Sequence, residues 1–192
     1  MEKIKLMVLA LVIMAGYNCK EAKKDANEAN EEVTEEIMEE ENIEVIKFSM
    51  EPKSDSKVAG EVTFTQEGNT VKMMATFSGL SQGEHAIHLH EKADCSSDDG
   101  KSSGGHWNPT HEPHGKWGAS EGFHKGDIGN FLADANGNAT VEFSTDQWCI
   151  GCDDENMNIV GKAVIVHQGV DDFTSQPSGD AGARISCTGI IQ

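Results

Sequence analysis

A single arginine, Arg184, stands among 192 residues, and 15 basic side chains face 33 acidic ones, for a formal net charge of −18. Nucleic-acid binding requires a basic patch against the phosphates, so this balance excludes it. No uncharged apolar run is long enough to cross a bilayer; the longest, Leu6 to Ala15, is about ten residues. From Ile43 onward there is no internal repeat and no helical periodicity, which sets aside repeat arrays and helix bundles.

What is present begins with Lys3 and Lys5 ahead of that apolar run, and with Cys19 behind it. Residues 1–18 read as a secretory signal. Cys19 resembles the lipidated first residue of a bacterial lipoprotein, although Asn18 stands where a small residue is usual; a plain cleaved signal is the alternative. Residues 20–44 hold eleven acidic and three basic residues and no aromatic. Such a stretch buries too little apolar surface to fold, so residues 19–44 read as a solvated tether reaching about 80–90 Å when extended. The expected domain is residues 45–192, exported and held at a membrane by a lipid on Cys19.

The texture then changes. EVIKFSM, KVAGEVTFTQ, TVKMMATFSG, ATVEFST and VGKAVIVH alternate with period two, separated by turns such as QEGNT and ADANGNA. This predicts an all-β sandwich or barrel. Two segments break the rhythm, Cys95 to Asp127 and Gln168 to Gly182. Loops of that length in a compact domain are usually functional.

Histidines concentrate beside these breaks. In GEHAIHLHEKADC, His88 and His90 share one strand face and His85 takes the other. His106 (GGHWNP), His114 (PHGKWG), His124 (FHKGD) and His167 (AVIVH) follow, with Asp127 three residues after His124. Imidazoles with one carboxylate and no thiolate suit zinc, copper or non-haem iron. Any one of these histidines alone would read as a buried structural residue; six around one strand, one loop and one strand end read as ligands.

HAIHLHE, GGHWNP, HG, FHKGDIGN, VIVHQGVDD and GDAGARISC occur in the order and near the spacing found in copper–zinc superoxide dismutases, and the chain resembles that family over nearly all of residues 45–192. The resemblance implies a Greek-key β-sandwich or barrel of about eight antiparallel strands with two long functional loops. It implies a copper ion on His88, His90, His106 and His167, and a zinc ion on His106, His114, His124 and Asp127, with His106 bridging the two. Asp171 would join a copper histidine to a zinc histidine, and Arg184 would orient the superoxide anion. It also implies a disulfide between Cys95 and Cys187. His85 is expected to be a structural hydrogen-bonding residue, and His111 an exposed loop residue.

Cys149 and Cys152, in QWCIGCDD, have no counterpart in that pattern. A local disulfide is the leading reading, with a redox pair or a soft-metal site as alternatives. The expected activity is conversion of superoxide to oxygen and hydrogen peroxide, in a homodimer or a monomer. A non-catalytic, membrane-tethered copper/zinc store on the same fold is the competing reading; storage needs neither a shared ligand nor a substrate arginine. With −11 on the folded region, help in attracting the anion is expected from Lys101, Lys116 and Lys125.

Overall fold

The computed structural model describes residues 43–192. The expected signal segment, Cys19 and the tether up to residue 42 lie outside the described residues. Glu44, read above as the last tether residue, instead opens the first strand and pairs with Gln66. Eight strands follow in chain order: β1 (Glu44–Pro52), β2 (Ala59–Glu67), β3 (Thr70–Ser78), β4 (Gly83–His90), β5 (Gly129–Ala133), β6 (Ala139–Thr145), β7 (Ala163–His167) and β8 (Arg184–Gly189).

All strand pairings are antiparallel, in the order β5-β4-β7-β8-β1-β2-β3-β6, and the outer strands β5 and β6 lie side by side, so the sheet forms a nearly closed barrel. The long strands β1, β2, β3 and β6 make one half. The other half, β5-β4-β7-β8, joins it through only two register pairs, Glu51 with Cys187 and Pro52 with Ser186. The β3–β4 and β6–β7 connections cross between the halves, which is the Greek-key path expected.

The two halves are built differently from the same period of two. On β3, Val71, Met73, Ala75 and Phe77 are buried and Lys72, Met74 and Thr76 are exposed, a strand wetted on one face. On β4 every residue from His85 to His90 is buried, and all of β7 is too. Ile87, Leu89, Val164 and Val166 enter the core with Phe64 and Met73. Burying each of these aliphatic side chains contributes about 1.5–3 kcal/mol. The opposite faces of β4 and β7 are covered by the long loops, and that cover is where the histidines lie.

Three long connections, not two, leave the barrel: residues 91–128, 168–183 and 146–162. The third sends Trp148, Ile150 and Ile159 into the core but follows no period-two pattern, so its length is hard to read from sequence. It is tied by side-chain amide bonds, since Asn158 accepts from Gly151 N and Val160 N and donates to the Cys152 carbonyl. A local disulfide joins Cys149 to Cys152 within it, as the leading reading expects. A second disulfide links Cys95 to Cys187, 92 residues apart, and pins the start of the 91–128 loop to β8. Ala163, Ile165 and Cys187 form a small apolar cluster beneath it.

Candidate metal centre

The site grows out of β4 where it loses a strand partner. Beyond Ile87, β5 no longer pairs with it, and the 91–128 loop takes over: Leu89 N donates to the Gly126 carbonyl and Trp107 N to the Leu89 carbonyl. An isolated antiparallel bridge sets His106 opposite His90. On the other side, β7 ends in His167, which alternation after Val166 turns away from the core, and a one-residue irregularity at Ile185 on β8 brings Arg184 opposite it. Two strand ends and one loop crossing thereby converge on one patch.

Two ligand groups result. His88, His90, His106 and His167 can each offer a nitrogen within 4.8 Å of the others, as can His106, His114 and His124 with an Asp127 oxygen. His106 is common to both. All seven residues are buried, as is Asp171.

The hydrogen bonds fix which atoms remain free. Nδ1 of His90 faces the Gly104 carbonyl at 2.9 Å, and Nδ1 of His167 faces that of Gly182 at 3.4 Å. Nδ1 of His106 lies 2.8 Å from Asp127 Oδ1. Asp171 spans the groups, with Oδ2 accepting from His88 Nε2 and Oδ1 from His114 Nε2, both at 2.9 Å. Among the described residues, six buried imidazole nitrogens are left without a hydrogen bond: His88 Nδ1, His90 Nε2, His106 Nε2, His114 Nδ1, His124 Nδ1 and His167 Nε2. One such orphan costs about 1–3 kcal/mol, so six in one cluster demand a common partner. A metal pair is that partner, and the donor sets fit: four imidazoles suit a redox-active copper, three imidazoles and a carboxylate suit zinc.

Charge separates the two groups. Burial holds His90 and His167 well below the ordinary imidazole value, helped by their histidine neighbours. His106 is lowered to about 4 by burial, with His88 adding to the effect and Asp127 opposing it. His114 behaves oppositely: burial pulls it down, but two carboxylates, Asp127 at 3.0 Å from Nδ1 and Asp171 bonded to Nε2, outweigh that and raise it to about 9. Asp127 sits far below the carboxylate range, because the imidazoles of His106, His114 and His124 crowded against it and the His124 backbone N–H overcome the opposing effect of burial.

Two amide clamps hold the carboxylate bridge in place. Asn130 on β5 accepts from Asp171 N and donates to its carbonyl, while Gln176 does the same for His114. Gly179 leaves the room, since a Cβ there would lie 1.8 Å from Asp171 Oδ1, and its φ of 67° disfavours other residues. Trp117 packs on Phe143 and Trp148, and the Trp148 indole donates to the Lys125 carbonyl beside His124. Asn130, Gln176, Gly179 and the tryptophans were not singled out from sequence; apart from the glycine's turn propensity, nothing local marks them.

A cavity of about 740 Å³ opens over His90, His106 and His167, with Arg184 and Ser54 in its wall. Of the three lysines expected to attract the anion, only Lys101 lines it, and Lys101 is paired with Asp99 at 2.8 Å. Lys125 is turned away onto Gln147, and Lys116 is exposed outside the cavity lining. His85 lies outside both groups, bonded to the His167 and Ser81 carbonyls, and His111 is exposed.

Comparison with known proteins gives the same architecture a lineage. The family described as copper/zinc superoxide dismutase (SODC) matches residues 58–191. A superoxide dismutase [Cu-Zn] of Caulobacter vibrioides is 36 % identical over 142 residues, 72 % of this chain and 80 % of that protein. The extracellular superoxide dismutase [Cu-Zn] of Caenorhabditis elegans is 32 % identical over 141 residues, 70 % of this chain but 62 % of its own longer one. That of Drosophila melanogaster is 35 % identical over 159 residues, 78 % and 84 % of the two chains. A crystal structure of a double mutant of a SOD-like protein from Bacillus subtilis superposes with a TM-score of 0.66 at 28 % identity, covering 76 % of this chain and 97 % of that one. With the match running from β2 through β8 and taking in the histidine-bearing 91–128 loop and the 168–183 loop, the chain belongs to the copper/zinc superoxide dismutase family.

Proposed function

We propose that this chain is an exported superoxide dismutase, converting two superoxide anions and two protons to dioxygen and hydrogen peroxide. The observation that carries the reading is the shared His106 among six orphaned imidazole nitrogens, opening onto a cavity with Arg184 in its wall. His88, His90, His106 and His167 would hold copper, which supplies the one-electron chemistry; His106, His114, His124 and Asp127 would hold zinc, which has none of its own. Arg184 binds the anion by charge and hydrogen bonds. His106 would serve both ions with both of its nitrogens, Nδ1 beside Asp127 and Nε2 free of any hydrogen bond, and Nε2 takes up and delivers a proton at the cavity floor. Asp171 fixes the ring orientations of His88 and His114.

A copper/zinc store needs no unpaired arginine beside the metal ligands, so the Arg184 wall favours catalysis. Purified full chain, assayed for bound metals and for superoxide disproportionation, tests this directly: both metals bound without activity would leave the storage reading standing.

Export is supported by two disulfides, which persist in oxidising compartments, and by the extracellular relatives. A lipid on Cys19 is supported by Lys3, Lys5 and the apolar run ahead of it. Cys19→Ser should move the protein from the membrane fraction to the soluble one, and an unchanged membrane fraction would refute the anchor. Pairing of two copies completes the reading, and sedimentation at micromolar concentration measures it.

A further inference from the structure

Arg184 is the one guanidinium of the chain, and its hydrogen-bond partners are neutral. Its Nη1 donates to the Gly100 carbonyl at 2.9 Å and to Ser103 Oγ at 3.1 Å. A guanidinium carries five N–H donors. Both protons of Nη1 are used in this way, which leaves the Nη2 and Nε edge for a ligand. That edge is a planar fork matched to a small anion.

The acceptors belong to one short turn. Lys101–Ser103 form a single 3-10 turn between Gly100 and Gly104. Gly100 has φ 69°, and a Cβ there would stand 3.3 Å from Arg184 Cβ, so the close approach needs glycine. Ser103 is fully buried. Its hydroxyl donates to the Gly100 carbonyl at 2.8 Å, and its backbone N–H reaches the same oxygen at 3.3 Å. Arg184 Nη1, Gly100 O and Ser103 Oγ therefore close a three-membered hydrogen-bond ring. The Gly104 carbonyl, one residue on, takes the bond from His90 Nδ1. The turn thus sets the arginine and a metal-facing histidine from adjacent points.

We infer that Ser103 is the positioning residue for Arg184: its hydroxyl locks the Nη1 end of the guanidinium so that the opposite edge is presented to the substrate anion. A serine that only stabilised its turn would need just the bond to Gly100. The bond it accepts from Arg184 orients a side chain long enough to sample many rotamers. Without the hydroxyl, Arg184 keeps one acceptor and can rotate about it. Capture of the anion then carries an ordering cost that the native site has already met. The inference rests on the dismutase reading for its kinetic part alone.

Because the chain has one arginine, its guanidinium can be observed without assignment ambiguity. The full chain, loaded with zinc and diamagnetic Cu(I), is compared as wild type, Ser103→Ala and Ser103→Thr by 15N NMR of the arginine side chain. Wild type should show distinct, slowly exchanging Nη signals, and Ser103→Ala should average them. Modification by an arginine-directed dicarbonyl, phenylglyoxal, should speed up severalfold in Ser103→Ala. The second-order rate for superoxide should fall about fivefold at unchanged metal content, the usual worth of one such bond. Ser103→Thr, which keeps the hydroxyl, should restore the rate; if the extra methyl lowers its folding stability, the Ala comparison stands alone. Guanidinium signals and modification rate unchanged in Ser103→Ala would overturn the inference, as would a rate loss that merely tracks lost metal. Absence of superoxide turnover in wild type would instead count against the dismutase reading, leaving the guanidinium measurements to decide the role of Ser103.

Discussion

Three of the four histidines in one ligand group stand on strands, His88 and His90 on β4 and His167 at the end of β7, whereas all four ligands of the other come from the single loop between β4 and β5. Strand-borne ligands are placed by the barrel's own ladder and by core residues such as Ile87 and Val166. Loop-borne ligands have no ladder, so each is held by something added. Gln176 clamps His114, Asp127 accepts from the backbone of His124 and Gly115, and the tryptophan pair carries the Lys125 turn. The contrast extends to protons, since burial drives them from His90, His106 and His167 while two carboxylates draw one onto His114. A fold can therefore donate half of a dinuclear site nearly for free and must build the rest from connections.

The sharpest way to break this contrast is to remove what the two halves share. His106→Ala should lose both metals and bring activity to background, whereas Asp127→Ala should chiefly weaken zinc. Metal analysis checks both, and full retention of copper and activity in His106→Ala would show the halves to be independent.

Next in size is the disulfide that anchors the loop. Replacing Cys95 and Cys187 together by serine removes closure across 92 residues, which should cost about 4–5 kcal/mol of unfolding free energy. The same change at Cys149 and Cys152, three residues apart, should cost about 2 kcal/mol or less. Denaturant unfolding of the two double variants gives the difference, and equal losses would mean that loop length is not what matters.

Asp171→Asn should then separate the halves. His88 and His114 bond to separate oxygens of Asp171, and asparagine replaces one of these acceptors by an NH2 donor; loss of such a supporting group lowers metal affinity about 10–100-fold. Zinc should bear most of this, because His88 stays fixed by its strand; chelator competition for each metal measures the split.

The smallest effect is one of pH on the metal-free protein. The folded value of His114 is raised to about 9, above an unfolded value of about 6.5. Its contribution is complete below pH 6.5 and is lost as pH rises through 9. The folded value of His106 is lowered to about 4, so stability is lost as pH falls from 6.5 towards 4, where only the unfolded chain gains the proton. The free energy of unfolding, measured across pH 4–9.5, should peak near 6.5, and His114→Gln should flatten the alkaline side alone.

Much of this was legible in the sequence because period-two burial and histidine spacing are local signals. His88 and His90 share a face by parity, and the strand runs mark six of the eight strands outright. The third long connection was missed because residues 146–162 are shaped by Asn158 amide bonds, which leave no periodic trace. Ser103, Asn130 and Gln176 were missed for a related reason. Each acts across 41 or more residues of chain, on Arg184, Asp171 and His114, and a serine or amide in a polar loop looks the same whether or not it has a distant partner. The expectation for Lys116 and Lys125 failed because position within a loop does not say which way a flexible side chain turns.

Asp171 has a consequence for how the metals would assemble. It is bonded to His88 on one side and His114 on the other, and His106 is held in common, so neither ion could be bound without settling a ring that the other also needs. Thermodynamic linkage makes that influence mutual. Whatever factor zinc contributes to the affinity for copper, copper must return to zinc in full. The half that the barrel prepares in advance would load readily by itself. The loop-borne half would gain most of its order from the ion already in place, so filling of the centre would be cooperative, with the scaffolded side leading.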